Sequence, residues 1–205
     1  MAFGSVRTYL VLDSPITNSP VAGKYWGIDA TIQYGGSSNG SASLALTNTT
    51  AGIVDSGTGL LYLPEGTLLR ESRLLPDMRT QTLITPYYCT LGAYSKYANA
   101  IGAVFDPTTK LLRITEAQYN NLQSLNFVIG GKTFELTPNA QIIPRPLRGG
   151  DKGLVYLVVQ NLGNNFPGVD FICGVVFLER FYTVLDSGNR RVGLASTPFT
   201  NATTN

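Results

Sequence analysis

Residues 126–136 read Asn-Phe-Val-Ile, Gly-Gly, Lys-Thr-Phe-Glu-Leu, and this short stretch constrains the fold more than any other. Two β-prone runs are joined by two glycines. A two-residue loop of that kind closes an antiparallel hairpin, because both loop positions need positive φ. The same strand-and-turn rhythm recurs along the chain. Residues 6–12 are β-rich, and residues 25–34 alternate polar and apolar as a half-buried strand does. Residues 35–40 then read as a turn. Ala51-Gly52-Ile53-Val54 runs into Asp55, and the apolar run 154–159 is expected to be a central strand. Residues 181–185 and 191–195 flank a turn at 186–190.

Helical signals are short. Thr115-Glu116-Ala117-Gln118 has the form of a capping box, which predicts a helix opening there and reaching about Leu125. Residues 93–103 are a second candidate, and 176–180 suits a single turn. The expected class is therefore all-β with a few short helices. Residues 65–92 break the rhythm: Leu68-Leu69 and Leu74-Leu75 have a weak helical period that Pro76 and Pro86 interrupt.

Composition agrees. The chain has 205 residues, 22 Gly, 11 Pro and 11 Tyr, with 43% hydrophobic and 14% charged residues. That suits one domain with a sizeable core and argues against disorder. There is no histidine, which excludes a Ser-His-Asp or Cys-His relay and imidazole-bound metal. Acid–base chemistry must then come from carboxylates. The net charge of +2 gives no argument for a nucleic-acid partner. Of the two cysteines, Cys173 lies in the apolar run 171–177 and is expected to be a buried free thiol. Without a Cys-x-x-Cys pair, neither a redox site nor a metal or other cofactor is expected. Residues 1–5 lack the pattern of a signal peptide, and no apolar stretch is long enough for a membrane helix. Three Asn-x-Ser/Thr triplets, at Asn39, Asn48 and Asn201, are N-glycosylation acceptors in a secreted chain.

The chemistry concentrates at Ile53-Val54-Asp55-Ser56-Gly57-Thr58-Gly59. Two β-branched residues drive a buried strand into an aspartate at a tight turn. Backbone N–H groups and the Ser56 and Thr58 hydroxyls stand within reach of the carboxyl, a setting in which a carboxyl pKa can be tuned. This stretch resembles the second Asp-Thr/Ser-Gly motif of the pepsin-like aspartic peptidases. Tyr25-Trp26-Gly27-Ile28 resembles the strand before that motif, and residues 127–138 resemble the family's hairpin. Phe171-Ile172-Cys173-Gly174 resembles the element that crosses behind the catalytic loop, and 176–195 resemble its closing helix and hairpin. Leu111-Leu112-Arg113-Ile114-Thr115 and Phe177-Leu178-Glu179-Arg180-Phe181-Tyr182 are similar to fungal members in particular.

The resemblance implies an all-β, two-lobed endopeptidase with one catalytic Asp from each lobe, of which this chain is the carboxyl-terminal one. Asp55 then takes the catalytic role. Gly57 allows the turn, Thr58 bonds the carboxylate, and Ser56 links the two loops across the lobe interface. Substrates are peptides or proteins, and the compartment is secreted or vacuolar. Within 1–205 the amino-terminal lobe has no counterpart, so the implied partner is that missing lobe or a second copy. Alternatives are a catalytically inactive binding module or a truncated gene product. A second Asp-Ser-Gly, at Asp186-Ser187-Gly188, falls where the family has a turn between closing strands, and no catalytic role is expected of it. Residues of about 65–92 are expected to be an atypical insertion, such as an intron left in the gene model.

Overall fold

The computed structural model describes residues 10–12, 25–36, 42–66, 68–69, 88–89, 92–144, 153–163, 166–189 and 191–204. The strands before the first helix are β1 (Leu10–Leu12), β2 (Trp26–Gly35), β3 (Ser43–Ala45), β4 (Thr50–Val54), β5 (Leu61–Leu63), β6 (Leu68–Leu69) and β7 (Tyr88–Cys89). Helix α1 (Ala93–Ile101) is followed by β8 (Val104–Phe105), β9 (Leu112–Thr115) and α2 (Glu116–Tyr119). Next come β10 (Leu125–Ile129), β11 (Lys132–Leu136), a 3-10 turn (Pro138–Gln141), β12 (Leu154–Tyr156) and β13 (Val159–Asn161). The chain closes with β14 (Phe171–Cys173), α3 (Val175–Leu178), β15 (Phe181–Asp186) and β16 (Arg191–Ser196).

The all-β expectation holds. The main sheet runs β11-β10-β2-β4-β14-β5-β13, with β3 also paired to β2. Its spine is β2, whose burial alternates along its length, as a strand with one face on a core requires. The β10–β11 hairpin turns at Gly130 and Gly131, at φ 55° and 75°, the left-handed values that only glycine adopts without strain. Further sheets are β1-β16-β15, β12-β9-β8 and the pair β6-β7.

Phenylalanines tie the layers together. Phe127 on β10 packs edge-on to Phe177 of α3 at 5.2 Å, Phe177 meets Phe181 of β15 at 4.7 Å, and Phe134 meets Phe181 at 5.4 Å. Each such contact adds roughly 0.5–1.5 kcal/mol beyond the apolar area it buries. Most polar side chains inside this core are bonded, as burial demands; among the described residues Arg113 Nε and Thr137 Oγ1 are buried without a partner. The Tyr97 hydroxyl donates to Gln141 Oε1 at 2.9 Å, and Gln141 Nε2 donates to the carbonyls of Gln123 and Leu136. The buried Arg180 guanidinium donates to the Phe199 and Ala202 carbonyls, clasping the last described turn against the core.

Three elements differ from their expected form. The capping box at Thr115 is present in full: Gln118 N donates to Thr115 Oγ1, and Thr115 N donates to Gln118 Oε1 at 2.8 Å. Yet α2 ends at Tyr119, because Gln118 Nε2 is drawn to the carbonyls of Ile101 and Gly102 and Leu122 turns into the core. The run 154–159 is not one central strand. It splits into β12, a bridge from Leu157 to Ile142, and β13, which serve two sheets; its side chains are still buried because both sheets cover it. The closing helix is α3, Val175–Leu178, one residue earlier than expected at its start. Cys173 is a buried free thiol, with burial pushing its pKa up. Of the expected strand 6–12 the described part is β1, and residues 37–40 of the expected turn and most of 65–92 lie outside the described residues.

The β15–β16 turn is closed by Asp186. Its Oδ2 accepts from Asn189 Nδ2 and Arg191 Nε, each at 2.7 Å, and its Oδ1 from the Asn189 N–H at 3.1 Å. The Asn189 amide and the Arg191 guanidinium lower its pKa to about 2. A carboxyl depressed in the native state stabilises the fold above its unfolded value of about 3.9 and loses that contribution as pH falls through its native value. Thermal melts of Asp186→Asn should therefore lie below those of the parent chain at pH 6. The gap should close progressively between about pH 4 and 2.

Candidate functional site

Asp55 is delivered by β4, which lies between β2 and β14. Trp26 of β2 is in register with Val54, and Ile53 and Val54 pair in parallel with Ile172 and Cys173. The ladder carries into the loop, where the Asp55 N–H donates to the Cys173 carbonyl at 3.1 Å. Strand pairing thus sets where the aspartate stands before any side chain is considered.

Its own loop then orients the carboxylate. The Gly57 N–H donates to Oδ1 at 2.9 Å, and the Thr58 hydroxyl donates to Oδ2 at 2.5 Å. Charge-assisted bonds of this kind are short and directional. A Cβ on Gly57 would stand 3.2 Å from Asp55 Oδ1, so the glycine leaves the carboxylate room. The loop's far side is pinned by the corner between β14 and α3. Val175 N donates to the Thr58 carbonyl at 2.7 Å, and Val176 N to that of Gly59 at 3.2 Å. Gly174 makes that approach possible: a Cβ there would meet Leu60 O at 2.2 Å and Thr58 O at 2.4 Å.

Asp55 is partly exposed, while Ser56 and Gly57 are exposed. Asp55 and Ser56 sit on the wall of a concavity of about 550 Å³, lined also by Tyr25, Trp26, Leu178, Tyr182, Thr183 and Leu185. Tyr25, Tyr182 and Leu185 are 47%, 47% and 43% exposed. The site is thus one oriented carboxylate beside an aromatic-rich surface of mixed polarity. Asp186 is not part of this wall, and its oxygens accept from its own turn. Among the described residues no three His, Cys, Asp or Glu side chains come together as metal ligands. No helix among them is long and apolar enough to cross a membrane.

The reading of the residues missed the wall made by Tyr182, Thr183 and Leu185. The available signal was the run Phe181-Tyr182-Thr183-Val184-Leu185, which alternates less cleanly than a strand with a solvated outer face does. The reading placed Phe171-Ile172-Cys173-Gly174 behind the loop but did not single out Gly174 as the close-approach point.

Residues 3–197 match the model of the eukaryotic aspartyl protease family. The chain is 48% identical to polyporopepsin of Irpex lacteus over 196 residues, covering 94% of this chain and 48% of that protein. It is 31% identical to gastricsin of Mus musculus over 146 residues, covering 70% of this chain and 29% of the relative. The crystal structure of the aspartic proteinase from Irpex lacteus superposes with a TM-score of 0.72 at 45% identity, covering 98% of this chain and 50% of that one. The chain thus spans about half the length of the polyporopepsin it matches.

Gly174→Ala should force the β14–α3 corner away from the loop. Overpacking against backbone costs about 1–3 kcal/mol, so the melting temperature should fall. Hydrogen exchange at the Val175 amide should quicken, because that bond to Thr58 is the first to open.

Proposed function

The chain belongs to the eukaryotic aspartyl protease family, and from that premise we propose that it is the carboxyl-terminal lobe of a pepsin-like endopeptidase, with Asp55 as one of two catalytic carboxyls. The observation that carries this reading is the Asp55 carboxylate, held at both oxygens by Gly57 N–H and Thr58 hydroxyl on the wall of an open concavity of mixed polar and apolar lining. A carboxyl so oriented is suited to hold a water molecule for attack.

Peptide hydrolysis by this route needs two carboxyls. The ionised one takes a proton from water as the water oxygen attacks the scissile carbonyl carbon. The protonated one gives its proton to the carbonyl oxygen; the C–N bond then breaks as the first carboxyl passes the water's proton to the nitrogen and the second takes a proton back from the gem-diol hydroxyl. Two carboxyls close enough to share a water titrate as a pair, which favours the singly protonated form in acid. This chain supplies one of them. Gly57 and Thr58 act as positioning residues for Asp55, and the exposed Ser56 hydroxyl links the loop to its counterpart across the lobe interface.

The second carboxyl comes from a second body. Strand β15 ends its sheet among the described residues, and exposed Tyr25, Tyr182 and Leu185 lie beside Asp55. The share of the relatives left unmatched, about half, makes the amino-terminal lobe the proposed occupant. The proposed setting is acidic and secreted or vacuolar, and the substrates are peptides or unfolded proteins.

The test mixes the chain with the amino-terminal lobe of the Irpex lacteus proteinase and denatured haemoglobin at acidic pH, with and without pepstatin. Pepstatin-sensitive cleavage is expected, falling by at least about 10²-fold in Asp55→Asn. Cleavage by the chain alone that grows faster than linearly with its concentration makes a second copy the partner. Cleavage indifferent to Asp55→Asn defeats the assignment of Asp55.

A further inference from the structure

Between β3 and β4 the chain bends through Thr47-Asn48-Thr49-Thr50, and every residue around Asn48 is fastened inward. Leu46 N and Thr47 N donate to the Ile32 carbonyl, and the Ile32 N–H donates to Thr47 Oγ1 at 2.9 Å. Thr49 and Thr31 share a hydroxyl–hydroxyl bond at 3.1 Å, and the Thr50 hydroxyl donates to Asp170. Asn48 itself is exposed and has no side-chain partner among the described residues. It is the outward tip of a pinned bend, and Asn48-Thr49-Thr50 is an acceptor triplet with threonine in the hydroxyl position. The five residues of β4 separate this bend from the Asp55 loop, a span of about 16 Å.

We propose that Asn48 is an N-glycosylation site. The co-reactant is a lipid-pyrophosphate-linked oligosaccharide. The Asn48 amide nitrogen bonds to the anomeric carbon, the bond from that carbon to the pyrophosphate oxygen breaks, the lipid pyrophosphate leaves, and the amide gives up one proton. The chain, expressed behind a secretion leader in yeast, is digested with peptide N-glycosidase and analysed by gel mobility and mass spectrometry. The expected result is a glycan-dependent shift, with residue 48 converted to aspartate on release. Asn48→Gln and Thr50→Val lose modification at this position, while Thr50→Ser keeps it. Translation with microsomes gives the same readout for any variant that fails to be secreted. An unmodified Asn48 in either system, including one accompanied by modification at Asn39 or Asn201, overturns the proposal.

A separate observation concerns residues 67–91. Gly66 and Gly92 touch across this span. A Cβ on Gly92 would stand 2.2 Å from Glu65 C and 2.3 Å from Gly66 N, and Tyr94 N donates to the Pro64 carbonyl at 3.1 Å. Glu65 anchors this junction, accepting from Ser95 Oγ at 2.5 Å and from Asn161 Nδ2. Just outside it, β6 and β7 pair with each other as a two-stranded sheet of their own. The geometry points to residues 67–91 as dispensable, so that the rest of the chain folds without them. Two deletions test this, one joining Gly66 directly to Gly92 and one bridging them with a short Gly-Ser linker. At least one should keep a single cooperative melt within about 4 °C of the parent. Loss of cooperative unfolding in both overturns the proposal.

Discussion

The site depends on one backbone contact across a long stretch of chain. Gly174 lets the corner between β14 and α3 lie directly on the carbonyls of Thr58 and Leu60, and the amides of Val175 and Val176 then bond to the loop. With β4 and β14 in parallel register, the loop carrying Asp55 is held from behind by main-chain bonds. Such a hold is stiff, because main-chain geometry leaves few alternatives. The carboxylate's own bonds to Gly57 and Thr58 are then made within a frame that already stands in place.

That frame rests on the aromatic core. Phe171 of β14 and Phe177 of α3 are fully buried on the two elements that grip the Asp55 loop, and the fully buried Phe127 of β10 packs against both rings. Packing and site are therefore one construction: an error in the phenylalanine cluster moves α3, and α3 holds Thr58 and Gly59. Acid tolerance follows similar logic. Asp186 keeps its charge down to about pH 2 through its bonds to Asn189 and Arg191. Thr108 N–H and the Tyr156 hydroxyl lower the pKa of Asp106 at another turn. Turns closed by such carboxylates stay closed to lower pH than a turn closed by an unassisted carboxylate.

Much of this was legible in the residues. The Gly130-Gly131 hairpin, the Thr115 capping box, the helix expected over 93–103 and found over 93–101, and the strand leading to Asp55 all rest on local signals: positive φ, reciprocal caps, alternation. The same is true of the bonds from Gly57 and Thr58 to Asp55, which span two and three residues. Misreadings came where distant partners decide. The apolar run 154–159 is uniform in sequence, yet it breaks because Leu157 bridges to Ile142 while its two ends join different sheets. Helix α2 stops at Tyr119 because Gln118 and Leu122 have partners elsewhere, although its start was readable from four residues.

The sequence by itself determined the chemistry and the local shapes: an all-β chain without histidine, an aspartate in an Asp-Ser-Gly-Thr turn, and turns where glycines demand them. These follow from short-range sterics and hydrogen bonding, which are complete within a few residues. Only the tertiary structure decided that β14 lies parallel to β4, that Gly174 is the close-approach point, and that Tyr25, Tyr182 and Leu185 form one wall with Asp55. It also brought Gly66 and Gly92 together. These contacts join residues far apart along the chain, and their partners are set by how the buried faces pack, which no local pattern specifies.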